Sequence, residues 1–468
     1  MSLWEQMAAR LTAGTASLVS LWGAPAAIHL ALLEGGAVEH LAFACPDGRY
    51  PSVSRFHPPA LRLERAAREL YGLDPLGLPD PRPWLLHGAV NHGLGDPGAP
   101  PDPYRFLPVE GDDLHQIAVG PVHAGIIEPG HFRFTCDGET VVRLEQRLGY
   151  VHRGVDHLMQ GADLATAARL AGRISGDSTV AYALAFALAA EQASGCAPPP
   201  RAVWLRALMA ELERLANHLG DVGAICNDAS FPLMHAHCAV LREQVLRATA
   251  VCFGHRLMMD RIVPGGVTDD LTPAGMAALR ALLAEVAARF PPLVTLYDLT
   301  ASLQDRTVGT GILRPELARQ FAAGGCVGRA SGRDFDARRS PGYAPYDALS
   351  FVVPVLNEGD VNARVWLRIK EIGQSLALID QVLAALPQGI LRHKCAGGTG
   401  EGMALVEGFR GDVFVWLRLE DGHVARCHAR DPSWFQWPLL EAAVLGNIIA
   451  DFPLCNKSFN CSYAGHDL

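Results

Sequence analysis

The second part of the chain carries apolar residues at helical spacing over long stretches. Residues 201–219 place a leucine or methionine every three or four positions, with charged side chains between them. Residues 274–290 and 365–386 behave in the same way. Because positions three and four apart lie on one face of a helix, each stretch predicts an amphipathic helix packed on a core. We therefore expect a mainly helical bundle.

Shorter patterns indicate strands and a smaller N-terminal unit. Residues 413–430 alternate around Asp421-Gly422, a dipeptide that suits a type I′ hairpin turn. A small sheet should therefore accompany the bundle. Residues 62–71 have helical spacing and stop before Gly72, a favourable residue just past the end of a helix. The N-terminal region mixes such helical signals with strand signals.

A segment rich in Pro, Gly and Asp separates these two regions. It runs over residues 83–113 and shows no apolar period, which predicts a linker or a long surface loop. The predicted fold class is α+β. We divide it into a small N-terminal α+β domain (1–88), a linker (89–113), and a mainly helical bundle domain with small peripheral sheets (114–468).

Composition excludes several classes of protein. With 49% hydrophobic and 19% charged residues, the 468-residue chain is globular. Its net charge of −9 gives no basic face for nucleic acid. Its 11 cysteines form no Cys-x-x-Cys pair, so a reducing, cytoplasmic setting is expected. We find no export signal, and the longest apolar stretch, 179–190, is shorter than the roughly twenty residues of a membrane span.

Known catalytic motifs give little guidance. Glycine-rich nucleotide loops, nucleophile elbows and His-Glu-x-x-His pairs do not occur. His235, His237 and Cys238 lie close together, and Cys455 and Cys461 are six residues apart. A helical His-x-His-Cys run sends its side chains to different faces, and the cysteine spacing has no particular ligand geometry. We interpret both groups as structural.

Residues 120–134 hold more information. Gly and Pro punctuate the segment, and His123, Glu128 and His131 lie among apolar neighbours. A carboxylate in an apolar loop has a raised pKa and can carry protons. A surface turn that leads into a strand explains the same residues equally well. The residues alone leave both interpretations open.

Several segments of the chain together resemble the sequences of one known family. They are, in order, GPVHAGIIEPGHFRFTCDGE, YVHRGVDHL, RAVWLRALMAELERLANHL, IVPGGVTDDL, QDRTVGTGIL, RASGRDFD, EGFRGDVFVWL and LGNIIADFPL. This part resembles the large subunit of formate hydrogenlyase and related membrane-bound nickel-iron hydrogenases, and the D subunit of complex I. The phrases YPSVSRFHP and ERAARELYGL resemble the complex I C subunit. The chain thus looks like a C–D fusion.

The chain departs from the hydrogenases of this family at all four metal ligands. There, two cysteine pairs bind the nickel-iron centre. Here the first motif reads RISGDS, with Ser175 and Ser178 in place of cysteines, and the second holds Ser462 and Gly465. Hydroxyl groups are poor ligands for such soft metals, and glycine offers none. The resemblance therefore implies no metal in this chain, and no C-terminal maturation step is expected.

The complex I D subunit also lacks these cysteines, and it uses the cavity of the former metal centre to receive a quinone head group. The family's quinone-contacting tyrosine falls at Gly176, which joins the four former ligand positions as a candidate quinone or substrate pocket. Arg173 matches the arginine near the terminal iron-sulfur cluster of the neighbouring small subunit. His123 matches the first histidine of the family's opening phrase, and Glu128 looks like its proton-relay glutamate. These three residues are the candidate catalytic groups.

The resemblance implies a peripheral subunit on the cytoplasmic side of the cell membrane. It would dock an iron-sulfur small subunit like the complex I B subunit, next to membrane subunits of the H and antiporter-like types. The chain itself would bind no cofactor, and quinone is the candidate ligand of the former metal cavity. The competing interpretation is a non-catalytic scaffold or conformational coupling subunit, with the old site filled by side chains.

Overall fold

The computed structural model describes residues 2–87, 104–122, 127–395 and 397–468. The N-terminal region contains α1 (Leu3–Ala13), β1 (Ser17–Ala24), β2 (Ala27–Glu34), β3 (Ala37–Ala44), β4 (Arg49–Pro51), α2 (Leu61–Tyr71) and β5 (Asp74–Leu76). Strands β1, β2 and β3 form an antiparallel meander, and β4 pairs with β5 in parallel. Helix α2 ends where predicted, because Gly72 takes the left-handed conformation (φ 66°) that favours glycine.

The second part is dominated by helices. They are α3 (Val155–Met159), α4 (Leu164–Ala171), α5 (Thr179–Ser194), α6 (Pro200–Asp228), α7 (Pro232–Phe253), α8 (Pro273–Leu299), α9 (Ala301–Thr307), α10 (Pro315–Gln320), α11 (Gly325–Arg329), α12 (Val361–Ala385), α13 (Ser433–Ala443), α14 (Phe452–Phe459) and α15 (Tyr463–Asp467). The three helices expected from apolar spacing are α6, α8 and α12. Helix α6 runs further than predicted because Val222, Ile225 and Cys226 continue its buried face.

Small separate sheets accompany the helices. Their strands are β6 (Leu114–Val119), β7 (His131–Asp137), β8 (Thr140–Arg147), β9 (Ile262–Val263), β10 (Gly266–Val267), β11 (Gly400–Gly408), β12 (Gly411–Glu420) and β13 (His423–Arg430). The predicted hairpin joins β12 to β13, and both turn residues have positive φ, 50° at Asp421 and 80° at Gly422. This is the type I′ conformation expected for Asp-Gly. The fold class is α+β, as predicted.

Helices α5 and α6 form the centre of the second part. Helix α6 packs against α7 and α12, while α5 lies on β11 and β12. Apolar side chains surround α5 on all sides, which suits a helix buried on every face. The approach of β11 is close, since a Cβ on Gly402 would overlap the carbonyl oxygen of Ala189. Gly402 therefore lets the strand backbone contact the helix backbone directly.

The N-terminal unit and the second part share one hydrophobic cluster. Trp84 joins it, although its segment was expected to form a linker or surface loop, and its side chain is only 1% exposed. The guanidinium groups of Arg62 and Arg65 lie 4.3 and 4.8 Å from its ring, and Trp84 Nε1 donates to His466 Nε2 at 3.2 Å. These contacts correct that expectation for residues 83–87. Most of the predicted linker (89–113) lies outside the described residues.

Among the helices that the structure describes, none is both long enough and apolar enough to cross a membrane.

Candidate functional site

Two segments far apart in sequence meet at the positions that the resemblance assigns to the metal ligands. Ser175 precedes a 3₁₀ turn (Gly176–Ser178) that opens into α5. Ser462 is the N-cap of α15, where its Oγ accepts a hydrogen bond from the Gly465 N–H at 2.9 Å. The Oγ atoms of Ser175 and Ser462 lie 2.9 Å apart, and both side chains are buried. The two motifs are therefore joined by a direct hydrogen bond.

An ion pair lies beside the two serines. Asp177 Oδ1 accepts hydrogen bonds from Ser175 Oγ at 2.9 Å and from Arg410 Nη1 at 2.7 Å. Arg410 also donates to Ser178 Oγ at 3.1 Å and to the carbonyl oxygen of Asn460 at 2.5 Å. Burial opposes ionisation of Asp177, but the charge and hydrogen bonds of Arg410 outweigh it and lower the pKa of the carboxyl to about 2. Arg410 thus connects both motifs while the pair stays charged. We call Ser175, Asp177, Ser178, Arg410, Ser462 and Gly465 the serine cluster.

Asp431 fixes the backbone on the other side of Ser462. Its Oδ2 accepts from the Tyr182 hydroxyl at 2.6 Å, and its Oδ1 from the Ser433 N–H at 2.8 Å. Ser433 Oγ in turn accepts from the Ser462 N–H at 2.8 Å. A Cβ added to Gly465 would overlap Asp431 Oδ2. Any side chain at position 465 therefore requires Asp431 to move.

These residues do not fit a nickel-iron centre. The oxygens of Ser175 and Ser462 bond to each other, and Ser178 Oγ faces the positive charge of Arg410. Gly465 has no side chain, and Asp431 occupies the space that a side chain would need. Soft metals need thiolates, and a fixed guanidinium repels a cation. The serine cluster is instead a hydrogen-bonded polar site.

The three candidate catalytic residues fall in different surroundings. Glu128 lies next to the serine cluster, because its Oε2 accepts from the Ala464 N–H at 2.8 Å. Arg173 points outwards, with 44% of its side chain exposed, and makes two hydrogen bonds to Asp260 at 2.6 and 2.7 Å. His123 lies outside the described residues. The structure thus brings Glu128 to the site, and it leaves Arg173 at the surface two residues before Ser175.

Gly176 is the one proposed pocket residue that is exposed. A Cβ built at this position meets no other atom within 4 Å, so a larger side chain or a ligand has room in front of it. Ser175, directly before Gly176 in the chain, and Ser178 are buried. Gly176 and Arg173 are therefore the exposed positions of this motif.

The histidine and cysteine groups interpreted as structural are packed accordingly. In α7, Cys238 is buried while His235 and His237 are exposed on another face. Cys455 and Cys461 are both buried, and burial raises the pKa of the Cys455 thiol to about 11. Protonated thiols are inert as ligands. The three cysteines therefore fill the core, and the two histidines lie at the surface.

One buried group within the described ranges has metal-ligand spacing. His218, Cys326 and Glu371 bring their ligand atoms within 4.8 Å of one another. Glu371 Oε1 already accepts two hydrogen bonds from Arg329, at 3.0 and 2.5 Å, and burial raises the pKa of Cys326 to about 12. A carboxylate neutralised by arginine and a protonated thiol are poor ligands. We therefore interpret this group as part of a buried ion-pair network.

Sequence reasoning did not single out Asp177, Arg410 or Asp431. Asp177 lies inside the RISGDS motif and Arg410 inside the family-like phrase EGFRGDVFVWL, so both were within quoted segments. For Arg410, the signal was a charged residue beside otherwise apolar strand residues, which usually marks a specific partner. The partners are 233 residues apart, however, and only the fold shows the pairing.

Known proteins resemble this chain over most of its length. The family model described as respiratory-chain NADH dehydrogenase, 49 Kd subunit, matches residues 232–397. Formate hydrogenlyase subunit 5 of Escherichia coli (strain K12) is 32% identical over 444 residues, covering 89% of this chain and 77% of that protein. The NADH-quinone oxidoreductase D subunit of Dehalococcoides mccartyi (strain ATCC BAA-2266 / KCTC 15142 / 195) is 30% identical, covering 72% of this chain and 93% of that one.

A solved structure has the same fold. It is a chain of the membrane-bound sulfane sulfur reductase (MBS), an archaeal respiratory membrane complex. The TM-score is 0.72 and the sequences are 25% identical, with 77% of this chain and 100% of that chain covered. The chain therefore belongs to the family that includes formate hydrogenlyase subunit 5 and the D subunit of NADH-quinone oxidoreductase.

Proposed function

We propose that the chain is a peripheral subunit of a membrane-bound, complex I-like or hydrogenase-related oxidoreductase. In this proposal it faces the cytoplasm and docks an iron-sulfur small subunit beside membrane subunits of the H and antiporter-like types. Its metal-free site takes part in electron transfer coupled to proton movement, with quinone as the candidate acceptor. Family membership and the likeness to a chain of a respiratory membrane complex support this role.

The serine cluster is the observation that carries the proposal. Formate hydrogenlyase subunit 5 is similar to most of this chain, yet at the positions that the resemblance assigns to the metal ligands this chain has hydroxyl groups bonded to each other and an adjacent Asp177–Arg410 ion pair. Polar groups so fully bonded to one another are ordered in advance, which suits a site that guides charge without a metal of its own. Glu128, bonded to the Ala464 N–H, would exchange protons with this site.

Arg173 would act on the partner's cluster by its charge. Its guanidinium is exposed 44% and is held by Asp260, so its position is fixed while one side stays open to a docked subunit. A reduced cluster carries one more negative charge than an oxidised one. A nearby guanidinium therefore favours the reduced state, and the carboxylate of Asp260 opposes it.

Potentiometry on the assembled complex tests this role through two variants of opposite sign. Arg173→Gln should lower the midpoint potential of the partner's cluster, and Asp260→Asn should raise it, each by on the order of 40 mV. The measurement is a redox titration followed by electron paramagnetic resonance. Arg289→Gln, which removes an exposed arginine of α8 paired with Glu285 at 3.0 Å, is the control and should leave the potential unchanged.

The same preparation separates the proposed function from its rivals. Nickel content should be negligible, and added quinone should reoxidise the partner's reduced cluster. Stoichiometric nickel would mean that the assignment of the ligand positions is wrong. If both variants have the midpoint potential of the wild type, Arg173 does not influence the partner's cluster.

A scaffold or conformational coupling subunit is the second candidate function. It is favoured by the direct bond between Ser175 and Ser462, which leaves no gap between the two motifs. A scaffold predicts that substitutions in the serine cluster change assembly or stability but not the rate of electron transfer in complexes that do assemble. The catalytic proposal predicts instead that these substitutions lower the rate of electron transfer more than they change assembly or stability.

Restoring the four ligand cysteines should not restore hydrogen evolution. In the quadruple variant Ser175→Cys, Ser178→Cys, Ser462→Cys and Gly465→Cys, the new side chain at 465 meets Asp431. Arg410 also keeps its positive charge beside position 178. We expect the variant to be less stable by about 1–3 kcal/mol, as is typical of overpacking, and to bind no stoichiometric nickel by elemental analysis. Hydrogen evolution by this variant would show that the polar site still accepts the metal centre. The triple variant without Gly465→Cys is the control for packing at Asp431.

A further inference from the structure

A cavity of about 960 Å³ lies between the N-terminal unit and the second part of the chain. Helix α2 forms one wall, and the β12–β13 hairpin and residues 149–160 contribute others. The volume lies near the upper end of the roughly 300–1,000 Å³ found for small-molecule sites. None of the serine-cluster residues lines it. The cavity is therefore a second place at which a ligand can bind.

The wall formed by α2 is aliphatic. Leu63, Ala66, Ala67 and Leu70 line it, at the spacing that brings residues to one face of a helix. The two alanines are small, which gives the cavity its width beside the helix. Trp416 of the hairpin adds an aromatic surface. Such a wall binds a flexible hydrocarbon chain by burial of apolar surface.

Charged groups in the lining are predominantly positive. Arg153, Arg418 and Arg426 line the cavity together with the carboxylate of Asp156. Arg426 pairs with Asp156 at 3.2 Å, and Arg418 pairs at 3.3 Å with Glu420, which is not a lining residue. These pairs account for two of the three positive charges. The third arginine, Arg153, decides what head group the cavity favours.

Arg153 has no carboxylate partner within the part of the chain that the structure describes. Its guanidinium donates to the carbonyl oxygens of Arg173 at 2.9 Å, Ile174 at 2.6 Å and Ala464 at 3.4 Å. Carbonyl groups satisfy its hydrogen bonds without supplying a negative charge, and because Arg153 is exposed, solvent also reaches its guanidinium. Burial lowers the pKa of both His87 and His428, so these neighbouring imidazoles add no further positive charge. An anionic head group would meet a net positive charge at Arg153.

We propose that this cavity binds a long-chain acyl anion, with its hydrocarbon chain along α2 and its carboxylate or phosphate head at Arg153. Free fatty acid and membrane phospholipid are two sources of the same chemistry. The site also reaches the serine cluster, because the carbonyl groups held by Arg153 belong to the residues just before Ser175 and Gly465. A head group that draws Arg153 towards the cavity would loosen both segments.

Binding is measured on the purified full-length chain with 11-(dansylamino)undecanoate, a fluorescent acyl anion. Its emission should rise on binding, and palmitate should displace it, whereas hexadecanol, which has the chain without the charge, should displace it at least tenfold less well. Vesicles of phosphatidylglycerol form the second arm. Displacement by palmitate alone indicates free fatty acid, and displacement by the vesicles indicates a lipid tail. Failure of both to displace the probe overturns the proposal.

Two variants tie binding to this cavity. Ala67→Phe should fill the space beside α2 and weaken probe binding at least tenfold, whereas Ala277→Phe, at an exposed position of α8, should not. Arg153→Gln should abolish the preference for palmitate over hexadecanol. If Ala67→Phe does not fold, Ala66→Leu on the same wall replaces it. A folded filling variant with unchanged affinity would place the acyl anion elsewhere and overturn the proposal.

Discussion

Arg329→Leu is expected to lower the free energy of unfolding by about 3–5 kcal/mol, the cost typical of removing one partner from a buried ion pair. The Arg329 side chain is 1% exposed and donates to Glu371 Oε1 at 3.0 and 2.5 Å. It also donates to Glu407 Oε1 at 2.8 Å and lies 3.5 Å from Asp336 Oδ2. Leucine fills part of the volume but leaves three carboxylates in a dry interior. Equilibrium unfolding in urea measures the loss.

The destabilisation should depend on pH. Burial raises the pKa of Glu407 to about 7 even with Arg329 present, so the folded protein takes up a proton there more readily than the unfolded chain. The stability that this group contributes is therefore present at low pH and is lost as pH rises through about 7. Without Arg329 the pKa of Glu407 rises further. The variant should consequently be closer to wild type at pH 6 than at pH 8.

An exposed ion pair provides the control for this experiment. Arg319 and Glu316 lie 3.4 Å apart with 56% and 73% of their side chains exposed. Arg319→Leu should change stability by no more than about 0.5 kcal/mol, because solvent screens such pairs. A loss in Arg329→Leu that is as small as in the control, or that is the same at both pH values, contradicts the assignment of Arg329 as a charge that neutralises Glu371 and Glu407.

Apolar spacing and turn chemistry were enough to predict the main elements. Helices α6, α8 and α12 follow from their leucine-rich faces, and the β12–β13 hairpin follows from Asp421-Gly422, because each signal is local. The polar face of α6 was less predictable. Arg206 and Glu213 lie off the apolar stripe, yet both are buried, Arg206 against Glu191 and Glu213 against the N-terminus of α5. From the sequence alone, a charged helix face is predicted to be solvent-exposed, because partners that are distant in sequence are not known.

The candidate site was predictable only where a motif could be aligned. Ser175 and Ser462 were identified from the former cysteine positions, but their hydrogen bond depends on how α5 and α15 are placed. The sequence predicts α2 only as a helix. The spacing of its apolar residues is the same whether that face packs on a core or lines a ligand cavity. The burial of Trp84 was not predicted, because one buried side chain in a segment rich in Pro and Gly produces no apolar period.

Arg410→Gln is expected to reduce electron transfer through the assembled complex at least tenfold. Arg410 is the only cation bonded to Asp177 among the described residues, and it also holds Ser178 and the carbonyl of Asn460. Glutamine cannot supply the charge that keeps the pKa of Asp177 near 2, so the loss of Arg410 will raise that pKa. The carboxyl would then gain a proton as pH falls, at a pH where the wild-type protein stays ionised.

The pH dependence of the rate separates this electrostatic role from simple misfolding. In Arg410→Gln the remaining rate should fall as pH is lowered and Asp177 becomes protonated, a step absent from the wild type above pH 4, since its pKa is about 2. Arg410→Lys keeps the charge but loses the two-pronged geometry, so it should recover part of the rate without the added pH step. Arg289→Gln, from an exposed pair with Glu285, is the control for charge removal. An Arg410→Gln complex that is less stable but retains the wild-type rate at every pH once assembled would favour the scaffold, because a scaffold needs Arg410 only to hold its two segments together.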